Sequence, residues 1–317
     1  MDRVIECERY TFNDSMNACF TAFDKDRDGF LNFEEFSCVC KALFRNDDGI
    51  IYRMEDSEMK DIFEIFDLNQ DGYIDLNEFL FCWNKWIKVI VRPVSAILII
   101  DVQNDFISGS LNISNSPAQH SGIEVIEPIN RLLDSVQFDA VFYSLDWHPS
   151  DHISFMDNLQ LRPLHLTSPV SYENAQVYDT VVFEGPPVMS QKLWPKHCVQ
   201  NTWGAELHKD LRIVQNSTKI YKGNSSEIDS YSVFWDNMKL VQTSFCSQLQ
   251  EKNITDLYVC GIAYDVCVGT TVNDAIASGY RTILLDDCCR GIDKNEIEKT
   301  KSNSINNHAV VVNSNQL

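Results

Sequence analysis

The sequence lacks any apolar run long enough to cross a bilayer. Its longest runs, such as Ala96–Ile100, are far shorter than the ~20 residues that a spanning helix needs. It also lacks an apolar signal core, because the N-terminus MDRVIECERY is charged from the start. Basic side chains are scarce: 26 Lys and Arg against 46 Asp and Glu give a net charge of −20. This charge argues against a nucleic-acid partner and against an anionic membrane surface.

What is present indicates an intracellular globular protein. Hydrophobic residues make up 44% of the 317 residues and aromatic residues 11%, which is typical of a chain with a real core and enough length for two domains. The eleven cysteines are an odd number, and no secretory signal accompanies them. We therefore expect free thiols in a reducing cytoplasm, with the nucleus as an alternative location.

Two acidic segments share one ligand pattern. Residues 24–35 (DKDRDGFLNFEE) and 67–78 (DLNQDGYIDLNE) place oxygen-bearing side chains at the first, third, fifth and ninth positions, glycine at the sixth and glutamate at the twelfth. This is the EF-hand loop, whose hard oxygen ligands suit calcium, with a backbone carbonyl at the seventh position. The predicted calcium ligands are Asp24, Asp26, Asp28, Phe30, Asn32 and Glu35 in the first loop, and Asp67, Asn69, Asp71, Tyr73, Asp75 and Glu78 in the second.

The paired loops predict a calcium-binding lobe over residues 1–92. Leu31 and Ile74 occupy the eighth loop positions and are expected to join the loops through a short strand pair. Two interpretations stay open, a calcium sensor that acts on the rest of the chain and a constitutively loaded structural lobe, because affinity depends on loop rigidity. Pro93 breaks the last helix of the lobe, so a second domain is predicted over 93–317.

From Ser95 onward, apolar β-branched runs alternate with helical patterns. This alternation predicts an α/β domain with an open, largely parallel sheet and helices on both faces. In such sheets ligands bind beyond the carboxyl ends of the strands. The predicted strands are 95–100, 139–144, 180–183, 218–221, 255–260, 281–285 and 309–312, and the predicted helices are 121–136, 203–210, 238–251, 266–278 and 293–302.

Three reactive side chains stand at predicted strand ends: Asp101, Lys222 and Cys267. Cys267 enters the first turn of a predicted helix, where unpaired backbone N–H groups and the helix dipole favour thiolate. Asp101 could accept the thiol proton, and Lys222 could stabilise both anions. Each has an ordinary explanation when taken singly, as a turn cap, a solvated lysine or a buried cysteine. Together they predict a nucleophilic site.

A second constellation has metal-ligand chemistry. Asp146 and His148 are two apart on an extended segment, so both side chains can point to one side and reach one ion. His197 is a candidate third ligand, and His152 and His165 are its rivals. One carboxylate and two imidazoles leave coordination positions open, as a metal that handles substrate or water requires, and spacing does not choose among zinc, iron and manganese. Alternatively, these histidines tie the loop together by hydrogen bonds.

These residues carry a family resemblance that spans the whole second domain. The region from Ser95 to the C-terminus resembles the isochorismatase-like cysteine hydrolases, and within them it is most similar to nicotinamidases. An EF-hand lobe ahead of such a domain resembles the arrangement in some animal nicotinamidases. The motifs concerned are DVQNDF (101–106), DWHPSDHISF (146–155), LWPKHCVQNTWG (193–204), YKG (221–223), DSYSVFWDN (229–237) and GIAYDVCV (261–268).

The resemblance assigns roles to the candidate residues. It implies a cis peptide between Ile262 and Ala263, which would turn the N–H of Ala263, with that of Cys267, into an oxyanion hole. The roles of Tyr264, Asp265 and Val266 stay open. The implied catalytic triad is Asp101, Lys222 and Cys267, the implied metal ligands are Asp146, His148 and His197 in preference to His152, and the implied substrate-pocket residues are Gln103, Phe106, Trp194 and Tyr231.

The implied activity is hydrolysis of nicotinamide to nicotinate and ammonia through a cysteine thioester, a step of NAD salvage, with calcium modulation as an open question. The implied cofactors are one divalent transition metal, zinc first with iron and manganese as alternatives, and two calcium ions. Self-association into a homo-oligomer is suggested by analogy. The alternatives are another isochorismatase-like hydrolase, and a calcium-binding interaction protein with an inactive hydrolase domain.

Overall fold

The protein is divided into two compact units at the junction between Pro93 and Val94. The computed structural model describes residues 16–44, 54–91 and 93–317. The charged N-terminus and Cys7 lie outside these residues. Within them, no helix combines the length and the apolar character that a membrane crossing requires.

The N-terminal unit is helical, and its two acidic loops lead directly into helices. The loop glutamate is part of each helix start: the amide of Glu35 donates to Asn32, and the amide of Asn32 donates back to the Glu35 carboxylate. Glu78 and Asp75 make the same reciprocal pair, which is a capping box. The helices are residues 16–23 (α1), Phe33–Leu43 (α2), Asp56–Phe66 (α3) and Leu76–Cys82 (α4), the last continuing through a π turn at Trp83–Ile87 into Lys88–Val91 (α5).

The predicted strand pair between the loops is confirmed. The N–H of Leu31 donates to the carbonyl of Ile74 and the N–H of Ile74 to that of Leu31, both at 2.9 Å. Both side chains are fully buried in an apolar cluster that includes Phe36, Phe63 and Phe79. The bridge therefore joins the two loops mechanically, because each loop sits on one side of the same small core.

The C-terminal unit is built on a six-stranded sheet in which every pair is parallel, in the order β5-β2-β1-β6-β7-β8. The predicted fold class is confirmed. Its strands are Ser95–Ile100 (β1), Ala140–Asp146 (β2), Thr218–Lys222 (β5), Asp256–Ile262 (β6), Arg281–Arg290 (β7) and Val310–Val312 (β8), and its helices are Asn104–Ile107 (α6), Ile126–Ser135 (α7), Phe245–Glu251 (α8), Gly269–Ala277 (α9) and Lys294–Asn306 (α10).

The strand order reverses between β1 and β6. The chain moves outward in one direction from β1 to β2, and in the other from β6 through β7 to β8. Right-handed crossovers then place α7 on one face and α9 on the opposite face. The gap beyond the carboxyl ends of β1 and β6 is the switch point at which such sheets bind ligands.

The predicted strand at 180–183 is present but lies outside the main sheet, and two predicted helices have other bounds. Thr180–Phe183 (β3) pairs antiparallel with Met189–Lys192 (β4) in a separate hairpin, because the short connection cannot make a parallel crossover. The predicted helix at 203–210 is one 3-10 turn, Trp203–Ala205, after which the backbone pairs with the segment following β1. The predicted helix at 238–251 begins only at Phe245, because the Asp236 carboxylate accepts backbone amides of the preceding turn.

Candidate functional site

The predicted triad converges on one ammonium group. Lys222 ends β5 and is almost fully buried. Its Nζ lies 2.9 Å from Oδ2 of Asp101 and 3.4 Å from Sγ of Cys267. It also donates to Oδ1 of Asp146 and, at 3.2 Å, to the carbonyl oxygen of Ser230. One buried cation therefore contacts two carboxylates and the thiol together.

Burial sets the proton affinity of the acid and of the thiol. It raises the pKa of Asp101, against the opposing charge of Lys222, and the Ser144 hydroxyl donates to Asp101 at 2.6 Å. It also raises the pKa of the Cys267 thiol well above its usual value, again against Lys222. Burial of Cys267 therefore opposes the thiolate form that the sequence predicts for a thiol at a helix N-terminus. A base within reach of the sulfur, such as Asp101, would help the thiol to lose its proton.

The three predicted metal ligands also meet. Asp146 ends β2, and Nε2 of His148 and Nε2 of His197 lie 3.5 and 3.7 Å from its Oδ2. The other ring nitrogens are held by backbone: Nδ1 of His148 is 3.0 Å from the carbonyl of Gly223, and Nδ1 of His197 is 2.7 Å from that of Pro195. These bonds orient both rings with Nε2 toward the carboxylate, as in protein metal centres. The donor set and its orientation fit a divalent ion.

The rival histidines differ in position. His165 hydrogen-bonds Thr167 in another loop and takes part in no metal-type cluster of the described residues. His152 lies beside the predicted trio, with its ring centroid 4.1 Å from that of His148. It forms a second cluster with His148 and the buried Asp229, and its Nε2 has no hydrogen-bond partner. Sequence reasoning missed Asp229, although the residue lies within the DSYSVFWDN motif.

A pocket opens beside Cys267 and the metal-ligand cluster. Its empty space, part of which is open to solvent, measures about 330 Å³. Phe106, Trp194 and Tyr231 line it as predicted, and the indole N–H of Trp194 is 3.3 Å from the Tyr231 hydroxyl. Sequence reasoning missed an apolar side of the pocket, because its members come from three separate segments: Leu111, Val266 and Ile292.

Gln103 does not line this pocket. Its side-chain amide is fully buried and donates to the backbone carbonyls of Asp146 and Ala205, at 2.8 and 2.9 Å. Its side-chain oxygen accepts the Asp146 amide at 2.9 Å. Gln103 thus braces the backbone of a predicted metal ligand, in place of the predicted substrate contact.

The turn after β6 is made by a left-handed residue. Ala263 has φ 62° and ψ 60°, and its carbonyl accepts the amides of Val266 and Val268. The predicted cis peptide at Ile262–Ala263 is wrong: in the described part of the chain the cis peptides are Gly185–Pro186 and Pro186–Pro187. The positive φ of Ala263, and not a cis peptide, turns the chain from β6 into the segment Tyr264–Val268. An oxyanion hole formed by the amides of Ala263 and Cys267 stays a prediction, and both residues line the pocket.

The predicted calcium ligands of loop one converge. Carboxylate oxygens of Asp24, Asp26 and Glu35 lie within 4.8 Å of one another. Oδ1 of Asp24 is buried without a hydrogen-bond partner. Like charges gathered around an unpaired buried oxygen fit a divalent cation.

Loop two has the same internal geometry. Asp67 accepts the Gly72 amide at 2.9 Å, and Glu78 accepts the amides of Leu68 and Asn69 at 2.9 and 3.1 Å. The remaining side chains of both ligand sets, Asp28, Asn32, Asn69, Asp71 and Asp75, accept amides within their own loops or at the following helix. Phe30 and Tyr73, which offer backbone carbonyls, have exposed rings that meet edge to face at 6.0 Å.

Comparison with known proteins identifies both units. The family model for the isochorismatase domain matches residues 95–316. The chain belongs to the isochorismatase family. The family model for an EF-hand domain pair matches residues 13–81. The isochorismatase unit therefore follows a pair of EF-hands along this chain.

Relatives of the isochorismatase unit include nicotinamidases. A nicotinamidase of Escherichia coli (strain K12) is 36% identical over 202 residues, which are 63% of this chain and 84% of the relative. The structure of a nicotinamidase and pyrazinamidase of Acinetobacter baumanii is similar with a TM-score of 0.60 at 34% identity, covering 71% of this chain and 99% of that one. A yeast nicotinamidase bound to the inhibitor nicotinaldehyde is similar with a TM-score of 0.58 at 28% identity, covering 69% and 99%.

Proposed function

We propose that this protein is a nicotinamidase that hydrolyses nicotinamide to nicotinate and ammonia through a thioester on Cys267. The observation that carries the proposal is the buried contact of Lys222 with Asp101 and Cys267 at the floor of an aromatic pocket. A nucleophile, a base and a cation at contact distance are the parts that acyl transfer requires. The nicotinamidase relatives support amide hydrolysis as the reaction.

The first half of the reaction forms the thioester. The pyridine ring enters among Phe106, Trp194 and Tyr231, which bring the carboxamide carbon to Cys267. Asp101 accepts the thiol proton, and the sulfur attacks the carboxamide carbon. The N–H groups of Ala263 and Cys267 would stabilise the tetrahedral oxygen. Asp101 then gives the proton to the departing nitrogen, and ammonia leaves.

The second half hydrolyses the thioester. Asp101 takes a proton from water as the water oxygen attacks the thioester carbon, and it returns the proton to the Cys267 sulfur as nicotinic acid leaves. The acid then loses its carboxyl proton to solvent and becomes nicotinate. The ammonium group of Lys222 provides a positive charge beside Asp101 and Cys267 in both halves of the reaction. Burial lowers its pKa, but the two contacting carboxylates, Asp101 and Asp146, outweigh burial and raise the pKa well above its usual value. The ammonium therefore stays charged throughout.

Asp146, His148 and His197 would hold a divalent transition metal, with zinc as the first choice and iron or manganese as alternatives. Such an ion supplies Lewis acidity that orients the substrate and activates water. Gln103 and Gly223 act on this site through backbone. Gln103 fixes the main chain of Asp146, and Gly223 fixes the tautomer and orientation of the His148 ring.

The purified protein is expected to release ammonia from nicotinamide. The assay is run with calcium, then with a calcium-selective chelator, and then with calcium restored. Release that survives chelation supports a structural lobe, whereas release that collapses and returns supports calcium regulation. No release in any arm, with the metal site loaded, would contradict the proposed reaction and lead to a panel of other amides and isochorismate-type ethers.

Glu78→Gln is expected to reduce calcium binding from two sites to one, because a neutral amide cannot chelate with two anionic oxygens. Isothermal titration calorimetry gives the stoichiometry directly. The matched control is Glu58→Gln. Glu58 forms the same kind of capping box, at the start of α3, but lies outside both loops. A Glu78→Gln protein that still binds two ions with unchanged affinity would remove Glu78 from the ligand set.

A further inference from the structure

The carboxylate of Asp265 connects the turn that carries Cys267 to a distant segment of the chain, residues 291–293. Asp265 is the second residue of the turn Tyr264–Val268, two residues before Cys267. Its Oδ1 accepts the amide of Ile292 at 2.8 Å, and its Oδ2 accepts the amide of Asp293 at 2.9 Å. The two oxygens of the carboxylate thus accept hydrogen bonds from two consecutive backbone amides. These two bonds fix the position and the orientation of the segment relative to Asp265.

The segment is shaped to receive this carboxylate. A Cβ atom at Gly291 would lie 2.6 Å from Oδ1 of Asp265 and 2.6 Å from Cγ1 of Ile297, so a larger residue would require these side chains to shift. Glycine therefore suits the close approach of the backbone to the carboxylate. Two further backbone groups of the segment are hydrogen-bonded: the Gly291 amide donates to His120, and the Ile292 carbonyl accepts the Ala118 amide. A shift of this backbone would break these bonds together with those to Asp265.

Both ends of this connection reach the pocket. On one side Cys267 and Val266 line it, and on the other side Ile292 lines it. We propose that Asp265 is a positioning residue that holds Ile292 at a fixed distance from Cys267, and that Ile292 thereby limits the substituents that the ring of an aromatic amide can carry when it reaches the thiol. The inference rests on the proposed function, since it specifies which aromatic amides the same site takes.

The test compares Asp265→Asn, Ile292→Ala and the parent protein on nicotinamide and on its 2-, 4-, 5- and 6-methyl derivatives. Asparagine has the same shape as aspartate, but its NH₂ group would face a backbone N–H. One of the two hydrogen bonds from the amides of Ile292 and Asp293 would therefore be lost. For Asp265→Asn we expect kcat for nicotinamide to fall about 10²-fold, as for other displacements of about 1 Å, with KM changed less than threefold. The ratio of kcat/KM for at least one methyl derivative to that for nicotinamide should rise at least fivefold in both variants.

The matched control is Asp287→Asn. The Asp287 carboxylate also clamps a segment 27 residues away, through the amide and hydroxyl of Ser314 at 2.7 and 2.6 Å, but it does not line the pocket. Its loss should lower the melting temperature and leave both kcat and the methyl-derivative ratio unchanged. A merely structural role for Asp265 would give this same pattern and would overturn the inference, as would a nicotinamide rate within twofold of the parent.

A second readout does not need turnover. Alkylation of Cys267 by iodoacetamide, followed at its own peptide by mass spectrometry, should accelerate several-fold in Asp265→Asn and stay unchanged in Asp287→Asn. Equal rates in the two variants would overturn the positioning role. If the parent protein releases no ammonia, the proposed function fails, and this alkylation rate still decides whether Asp265 holds the pocket closed around Cys267.

Discussion

Cys267→Ala is expected to lower kcat for nicotinamide by roughly 10⁶-fold, the scale seen when a catalytic nucleophile is removed, while the fold is kept. This loss corresponds to about 8 kcal/mol of activation free energy. The physical reason is that Asp101 would have no thiol to deprotonate, and no thioester could form. Ammonia release measures the rate, and circular dichroism with thermal unfolding checks the fold.

Cys260→Ala is the matched control for this loss. Cys260 is also fully buried and lies in β6, seven residues earlier, with its sulfur 3.8 Å from the carbonyl of Leu98 and away from the pocket. It should cost about 1 kcal/mol of stability through a small cavity and leave kcat intact. A covalent adduct on the Cys267 peptide after acid quench would support the thioester directly. If Cys267→Ala kept a tenth of the parent rate, the covalent scheme would be wrong.

Gly223→Ala is expected to weaken binding of the transition metal by about 10- to 100-fold, the range found when partners that orient metal ligands are changed. A Cβ atom at position 223 would lie 2.4 Å from Cε1 and 2.5 Å from Nδ1 of His148. Gly223 also has φ +67° and accepts the His148 Nδ1 hydrogen bond through its carbonyl. The ring must therefore leave the position in which its Nε2 faces Asp146. Metal content after dialysis, measured by plasma mass spectrometry, gives the change.

Gly279→Ala separates backbone strain from the clash with His148. Gly279 has φ +86°, and a Cβ atom there would meet nothing within 4 Å. Both variants should lose about 1–2 kcal/mol from forcing alanine into a left-handed conformation, but only Gly223→Ala should lose metal and activity. Equal metal content in the two variants would mean that the His148 ring does not depend on Gly223.

The calcium loops could be read almost completely from the sequence, because each set of ligands lies within one short stretch of chain. The reciprocal hydrogen bonds of Glu35 and Glu78 with the first residues of their helices follow from the same local order. Contacts of this kind depend on nearby residues in sequence, so a pattern of residue types is sufficient to predict them. The pairing of Leu31 with Ile74 was predictable for the same reason, since both hold the same loop position.

The positions of Asp101, Lys222 and Cys267 were predictable by a different rule. Parallel strands end at one edge of the sheet, so residues that follow separate strands approach one another even when they are far apart in sequence. The third of the predicted metal ligands Asp146, His148 and His197 could not be predicted from the positions of strand ends. His197 reaches Asp146 because the backbone at Val199 pairs in parallel with His148, and spacing alone could not choose it over His152.

The sequence by itself determined the EF-hand pair, the parallel sheet and the residue types that carry the proposed chemistry, because these follow from local patterns and strand order. Only the tertiary structure showed that burial raises the pKa of the Cys267 thiol, since desolvation depends on every group packed around it. Likewise, only the tertiary structure revealed that Gln103 accepts a hydrogen bond from the Asp146 amide and that Asp265 accepts one from the Ile292 amide. These contacts join segments tens of residues apart, and no local pattern records which of them meet.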